Sequence, residues 1–119
     1  MLTIEEKTQA VVAALEDVKA LDITVLDTTE LSSLFERMVI ASANSTRQTK
    51  ALADNVAEKL KERGERAQGV EGTSSGEWVL VDLGDVVVHI MQPAVRAYYN
   101  LEELWSMQHL PPKAESKDQ

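Results

Sequence analysis

The stretch EWVLVDLGDVVVHIM, residues 77–91, decides the fold. Two strand-like runs, 77–83 and 86–91, are separated by two residues, Gly84 and Asp85. A two-residue loop with glycine in its first position is typical of a type II′ turn between antiparallel strands. The stretch therefore predicts a β-hairpin that turns at Gly84-Asp85.

The two faces of this hairpin differ in chemistry. Side chains alternate along a strand, so residues opposite each other across the turn share a face. One face is entirely aliphatic, which predicts core, and consists of Val79, Val81, Leu83, Val86, Val88 and Ile90. The other mixes apolar side chains with a carboxylate and an imidazole, and consists of Trp78, Leu80, Asp82, Val87, His89 and Met91. An apolar patch rimmed by charge is typical of a protein interface, with tryptophan as a favoured anchor.

Two further arrangements could account for the mixed face. The last helix, which carries Trp105, could fold back over the face, either completely or at one end only. A second copy of the chain could also cover the face in a homodimer. The residues alone leave both arrangements open.

Three helices are predicted around the hairpin. The first covers about 3–20 and begins with a capping box at Thr3. The second covers about 45–63 and ends at Gly64. The third begins after Asn100, which is expected to cap it.

Three further strands complete the predicted sheet. Residues 22–27 are β-prone and carry aspartates, which favours an edge position, whereas the apolar run 38–41 favours a strand buried on both faces. Residues 67–72 can form another strand. The expected fold is thus a single α/β domain with a mixed sheet of about five strands and helices mainly on one face.

Length and composition fit one folded domain, with 119 residues of which 44% are hydrophobic and 27% charged. We assign this domain to residues 1–110. We expect residues 111–119, which begin with two prolines, to form a flexible polar tail.

No apolar run approaches the roughly 20 residues of a membrane span, and the N-terminus resembles neither a signal nor a transit peptide. A cytoplasmic protein without a membrane partner is therefore expected.

The net charge of the chain favours some classes of binding partner over others. Acidic residues outnumber basic residues by 20 to 12, which gives a formal net charge of −8. Because phosphate binding draws on Lys and Arg, this balance disfavours nucleic acid as the main direct partner. It favours a basic protein surface, since complementary fields speed encounter, although acidity also serves solubility alone.

The residues supply no convincing active site. The chain has no cysteine, and His89 and His109 are its only histidines, without the spacing of a zinc pair. Asp82 and His89 could form a two-ligand metal site, but a satisfied surface pair accounts for them more simply. The strand–loop–helix junction at 39–45 lacks the glycines and lysine of a phosphate loop. We therefore expect no catalytic residue, no metal and no cofactor.

Several segments together resemble the Iojap-like ribosomal silencing factor family of bacteria and organelles. Between about Leu21 and Trp105 they follow the order and spacing of that family: MVIASANS at 38–45 with RQ at 47–48, VEG at 70–72, EWVLVDLGDVVVH at 77–89 and RAYYNLEELW at 96–105. The chain departs from the usual family residues at Glu36, Ala43, Leu83 and Met91-Gln92. The departures at Leu83 and Met91 affect the detail of contacts, since both residues remain apolar.

The resemblance implies a fold distantly akin to nucleotidyltransferases, without their catalytic carboxylates. It implies binding to ribosomal protein uL14 of the large subunit, which blocks joining of the small subunit and represses translation when nutrients are limiting. The family's binding surface carries over onto Trp78, Leu80, Asp82, Leu83, Gly84 and Asp85, and onto the neighbouring Val87, His89 and Met91. A homodimer of the free chain stays open. The alternative from another class is a nucleotide-binding or nucleotidyltransferase-like enzyme, which predicts saturable nucleotide or metal binding.

Overall fold

The computed structural model describes residues 2–109, with side-chain burial for 2–105. The predicted tail at 111–119 and the last residue of the predicted domain lie outside the described residues. The helices are α1 (Ile4–Asp17), α2 (Thr46–Glu62), α3 (Pro93–Tyr99) and α4 (Leu101–His109). The strands are β1 (Leu21–Asp27), β2 (Arg37–Ser42), β3 (Gly69–Glu71), β4 (Trp78–Asp82) and β5 (Val86–Met91). None of these helices is long and apolar enough to cross a membrane.

The five strands form one mixed sheet in the order β1-β2-β5-β4-β3. β2 and β5 are parallel, and the other neighbouring pairs are antiparallel. The prediction of a five-stranded mixed sheet is confirmed, as is the edge position of β1. The predicted burial of 38–41 on both faces is also confirmed, because every residue of this run is at most 3% exposed.

Local sequence explains where the two long helices begin and end. At the start of α1, the Thr3 hydroxyl accepts from the Glu6 amide at 3.1 Å, and the Glu6 carboxylate accepts from the Thr3 amide at 2.9 Å. This reciprocal pair is the predicted capping box. α2 begins where the Ser45 hydroxyl accepts from the Gln48 amide at 3.1 Å. It ends before Gly64, whose φ of +86° is readily adopted only by glycine.

The main core lies between the sheet and the pair α1–α2. All six residues of the aliphatic hairpin face are buried there, as predicted, with exposures of 0 to 3%. The helices contribute a matching aliphatic stripe at helical spacing: Val11, Ala14, Leu15, Leu52, Ala53, Val56 and Leu60. This packing fixes the hairpin register and therefore the orientation of its opposite face.

The prediction did not include α3, which follows β5 directly. Pro93 occupies the first turn of this helix, where its missing N–H removes no hydrogen bond. Asn100 separates α3 from α4 in the left-handed conformation, with φ 50° and ψ 54°. Its side-chain amide donates to the Glu103 carboxylate at 2.6 Å and so links Asn100 to the first turn of α4. This bond differs from the predicted cap, in which a side-chain oxygen accepts from a backbone amide.

Candidate functional site

The hairpin register places the predicted mixed face opposite the main core. Trp78 pairs with Met91, Leu80 with His89, and Asp82 with Val87, so these six residues share one side of the sheet. The predicted pairing across the turn is confirmed.

Two short helices cover one end of this mixed face. Met38, Ile40 and Met91 are buried in a second apolar cluster against residues of α3 and α4, Val95, Leu101 and Trp105 among them. The last helix thus does fold back, but only over this end. Trp78, Leu80, Asp82, Val87 and His89 remain partly exposed, and we call these five residues the open sheet surface. Met91, the sixth residue of the mixed face, is 0% exposed and lies beneath the helices.

Arg96 fixes α3 and α4 in this position. Its guanidinium donates to both carboxylate oxygens of Glu102, at 3.1 and 2.7 Å, and therefore joins the two helices. It also donates to the hydroxyls of Ser42 at 2.8 Å and Thr24 at 3.0 Å, which anchors the helices to β2 and β1. The hydrogen bonds from Arg96 hold the pKa of the Glu102 carboxyl below its ordinary value.

A hydrogen bond between Trp78 and His89 holds these two side chains of the open sheet surface in position. The indole Nε1–H donates to Nδ1 of His89 at 2.9 Å. Burial lowers the pKa of His89 to about 4, so the ring is neutral at pH 7 and carries its proton on Nε2. Asp82 lies opposite Val87 and not opposite His89, and its Oδ1 accepts from the Gly84 amide at 2.8 Å. Among residues 2–109 no group of three or more His, Cys, Asp or Glu side chains is arranged to hold a metal ion.

The hairpin tip points away from the open sheet surface. Leu83 faces the main core at 3% exposure. Nζ of Lys7, on α1, donates to the Leu83 carbonyl at 2.8 Å and to Asp85 Oδ1 at 2.6 Å. Gly84 has the positive φ, +91°, that the predicted turn requires at this position. Leu83 therefore packs inside the domain, whereas Asp85 pairs with α1 and keeps a side chain that is 43% exposed. A role of these two residues in partner binding stays a prediction.

Lys7 is a buried residue that sequence patterns did not single out. Besides its bonds to the hairpin, Nζ lies 3.1 Å from Glu65 Oε1. Burial disfavours the charged amine, but the carboxylates of Asp85 and Glu65 outweigh this effect and raise the pKa of Lys7. A signal was present in the sequence: Lys7 lies three residues after Ile4 and four before Val11, on the buried stripe of α1.

The titration of His89 predicts a loss of stability in acid. Its folded-state pKa lies below the unfolded value of 6.5, so its contribution is complete above pH 6.5 and falls as the pH drops towards 4. After allowance for the partial exposure of His89, we expect its protonation to make the free energy of unfolding about 1 to 2 kcal/mol lower at pH 4.5 than at pH 7. Urea unfolding of the wild type and of His89→Asn, whose Oδ1 can accept from Trp78, measures this difference. Equal pH dependence of the two proteins would contradict the expectation.

These features define a small α/β domain with one covered and one half-open sheet face. The chain belongs to the family described as "Ribosomal silencing factor during starvation", whose family model matches residues 2–119. The resemblance noted from the sequence is thereby confirmed.

Individual relatives agree with this assignment. The chain is 56% identical over 107 residues to the ribosomal silencing factor RsfS of Chromobacterium violaceum, covering 90% of this chain and 88% of that protein. It is 38% identical to the chloroplastic protein Iojap of maize, covering 77% of this chain and 40% of the maize protein. A crystal structure of a Chromobacterium violaceum protein, 54% identical, superposes with a TM-score of 0.87 and covers 97% of this chain and 95% of that one.

Proposed function

We propose that this chain binds ribosomal protein uL14 on the large ribosomal subunit through the open sheet surface. The bound domain then blocks joining of the small subunit and represses translation when nutrients are limiting, in the cytoplasm. The observation that carries this proposal is the position of Trp78, a partly exposed aromatic ring held by His89 beside Leu80 on a half-open sheet face. Tryptophan in such a setting is the residue type most enriched among interface hot spots.

The rigidity of this surface supports a binding role. β4 is paired with β3 on one side and with β5 on the other, so its backbone cannot rearrange cheaply. The hydrogen bond to His89 limits rotation of the Trp78 ring, and the Gly84 amide holds the Asp82 carboxylate. A preordered surface loses little conformational entropy on binding, which favours affinity for a given contact area.

Steric exclusion is sufficient for the proposed silencing and needs no catalysis. Joining of two ribosomal subunits requires their surfaces to approach to contact distance. A folded domain bound on the joining surface of one subunit prevents that approach, whatever its own chemistry. The names of the relatives, which describe silencing factors, agree with a role of this kind.

A sucrose-gradient experiment tests the proposal directly. The purified chain is mixed with large subunits, and small subunits are added in a second sample. We expect the chain to sediment with large subunits and to lower the yield of joined ribosomes in proportion to its occupancy. A chain that stays at the top of the gradient, or that binds without reducing joining, would refute the proposal.

Self-association of the free chain would compete with binding to uL14 if both used the same surface. If a second copy covers the open sheet surface in the free chain, uL14 must displace it. Light scattering with and without large subunits measures this exchange. A dimer that stays intact on the subunit would mean that its interface lies outside the docking surface.

Salt should weaken binding if Asp82 meets basic side chains of uL14. We expect Asp82→Asn to raise the Kd about threefold at low salt, and the effect should disappear at high salt because exposed charges are screened. Asparagine retains the oxygen that accepts from Gly84, so the turn is preserved. Asp54→Asn, an exposed position on α2, is the matched control. Equal Kd values for Asp82→Asn and wild type at low salt would show that Asp82 has no such role.

A further inference from the structure

An aromatic cluster extends from Trp78 of the open sheet surface onto α3. Three of the five aromatic residues of the chain meet there. The ring of Tyr99 lies 4.8 Å from that of Trp78 and 5.0 Å from that of Tyr98, measured between centroids. Tyr98 is 81% exposed and Tyr99 53% exposed, so neither ring contributes much to a core.

These rings line a groove between β4 and α3. The groove has a volume of about 330 Å³, and its wall includes Trp78, Tyr98, Tyr99 and the exposed residue Glu77. We call it the aromatic groove. A second, smaller depression of about 240 Å³ shares only Trp78 with this groove, and its wall also includes Leu80, His89 and Glu71. The Trp78 ring therefore separates two shallow recesses on one continuous surface.

Both recesses are negatively charged. Each has one carboxylate in its wall, Glu77 in the aromatic groove and Glu71 in the smaller depression, and within residues 2–109 neither wall contains a lysine or an arginine. Aromatic faces attract cations through the ring quadrupole, and an adjacent carboxylate adds a direct charge. The planar guanidinium of arginine satisfies both requirements, because it stacks on a ring and hydrogen-bonds to a carboxylate in its own plane.

We propose that the aromatic groove receives an arginine side chain of the ribosomal protein to which the chain docks. The guanidinium stacks on the tyrosine rings and pairs with Glu77, so that Trp78 forms the wall between this contact and the apolar contact of the open sheet surface. The inference rests on the proposed function, which supplies the partner. Ribosomal RNA fits the groove less well, since both carboxylates would repel its phosphates.

Binding of fluorescently labelled chain to purified large subunits tests the stacking. Tyr98→Leu keeps an apolar side chain but removes the ring, and we expect it to raise the Kd about fivefold. Tyr98→Phe keeps the ring and removes the hydroxyl, and we expect a change of less than about twofold. At 81% exposure, neither substitution disturbs a buried contact. If phenylalanine weakens binding as much as leucine does, the hydroxyl acts instead of the ring face, and the proposal is overturned.

Charge removal tests the ion pair. We expect Glu77→Gln to raise the Kd about threefold at low salt and to have no effect at high salt. Glu58→Gln removes the same charge from an exposed position on α2 and is expected to leave the Kd unchanged. Tighter binding of Glu77→Gln would point to an RNA phosphate in the groove and would overturn the proposal.

Comparison with Trp78→Ala distinguishes a failure of the proposed function from a failure of the arginine contact alone. If the wild type does not bind large subunits, both the proposed function and the arginine contact fail. If the wild type binds and Trp78→Ala does not, while Tyr98→Leu and Glu77→Gln bind normally, only the arginine contact fails.

Discussion

Replacing Lys7 with methionine is expected to lower the free energy of unfolding by about 3 kcal/mol. The substitution keeps the aliphatic stem but removes the charge that lies between Asp85 and Glu65. It also leaves the Leu83 carbonyl, which accepts from Nζ at 2.8 Å, without that donor. Breaking a buried pair at one partner typically costs about 3 to 5 kcal/mol. The lower end applies because the Asp85 side chain is 43% exposed and can be solvated by water.

Urea unfolding followed by tryptophan fluorescence measures this change. Lys61→Met makes the same substitution at an exposed position on α2, and its expected effect is below about 0.5 kcal/mol. A double-mutant cycle with Asp85→Asn should give a coupling energy of about 1 kcal/mol or more, because the two side chains lie 2.6 Å apart. A loss for Lys7→Met no larger than that for Lys61→Met would show that the ion pair does not stabilise the fold.

The hairpin could be predicted because its determinants are local. A two-residue loop with glycine first sets the register, and the alternation of side chains then assigns every residue to a face. The aliphatic face could only be core. The same reasoning located Trp78, Leu80, Asp82, Val87 and His89 on one surface without any knowledge of what lies above it.

The remaining features depend on contacts between distant parts of the chain. Met91 belongs to the mixed face by register, but α3 and α4 bury it, and no local pattern indicates how far those helices reach. The sequence places Asp85 in the hairpin turn, but gives no sign of its ion-pair partner Lys7, which lies 78 positions away. Arg96 joins β1, β2 and α4 from a helix that the prediction did not include. Such long-range pairs are set by tertiary packing, which a single sequence does not display.

The tertiary contacts also sharpen the functional hypothesis. One of the helices that bury Met91, α3, places Tyr99 against Trp78. Trp78 therefore lies at the boundary between the covered end and the open end of the mixed face. Trp78 thereby contacts Tyr99 of α3 and the imidazole of His89 and remains partly exposed to solvent. A ring held from two sides and exposed on a third is suited to act as a rigid anchor.

Replacing Trp78 with alanine is accordingly expected to cost at least about 2 kcal/mol of binding free energy, a roughly 30-fold rise in the Kd for large subunits. The substitution removes the largest side chain of the open sheet surface and the wall between its two recesses. It also frees Nδ1 of His89, which loses the indole donor. Titration of large subunits with labelled chain gives the Kd, and circular dichroism establishes that the variant is folded.

Two further variants separate the contributions of the ring. Trp78→Phe keeps an aromatic face but cannot donate to His89, so we expect an intermediate loss of about 1 kcal/mol. Val25→Ala shortens a 44% exposed apolar side chain on β1, at the opposite edge of the sheet, and should leave the Kd unchanged. A folded Trp78→Ala protein that binds large subunits as tightly as Val25→Ala would exclude Trp78 as the anchor. Docking would then have to use another part of the molecule, because the open sheet surface without this ring keeps only Leu80 and Val87 as apolar contacts.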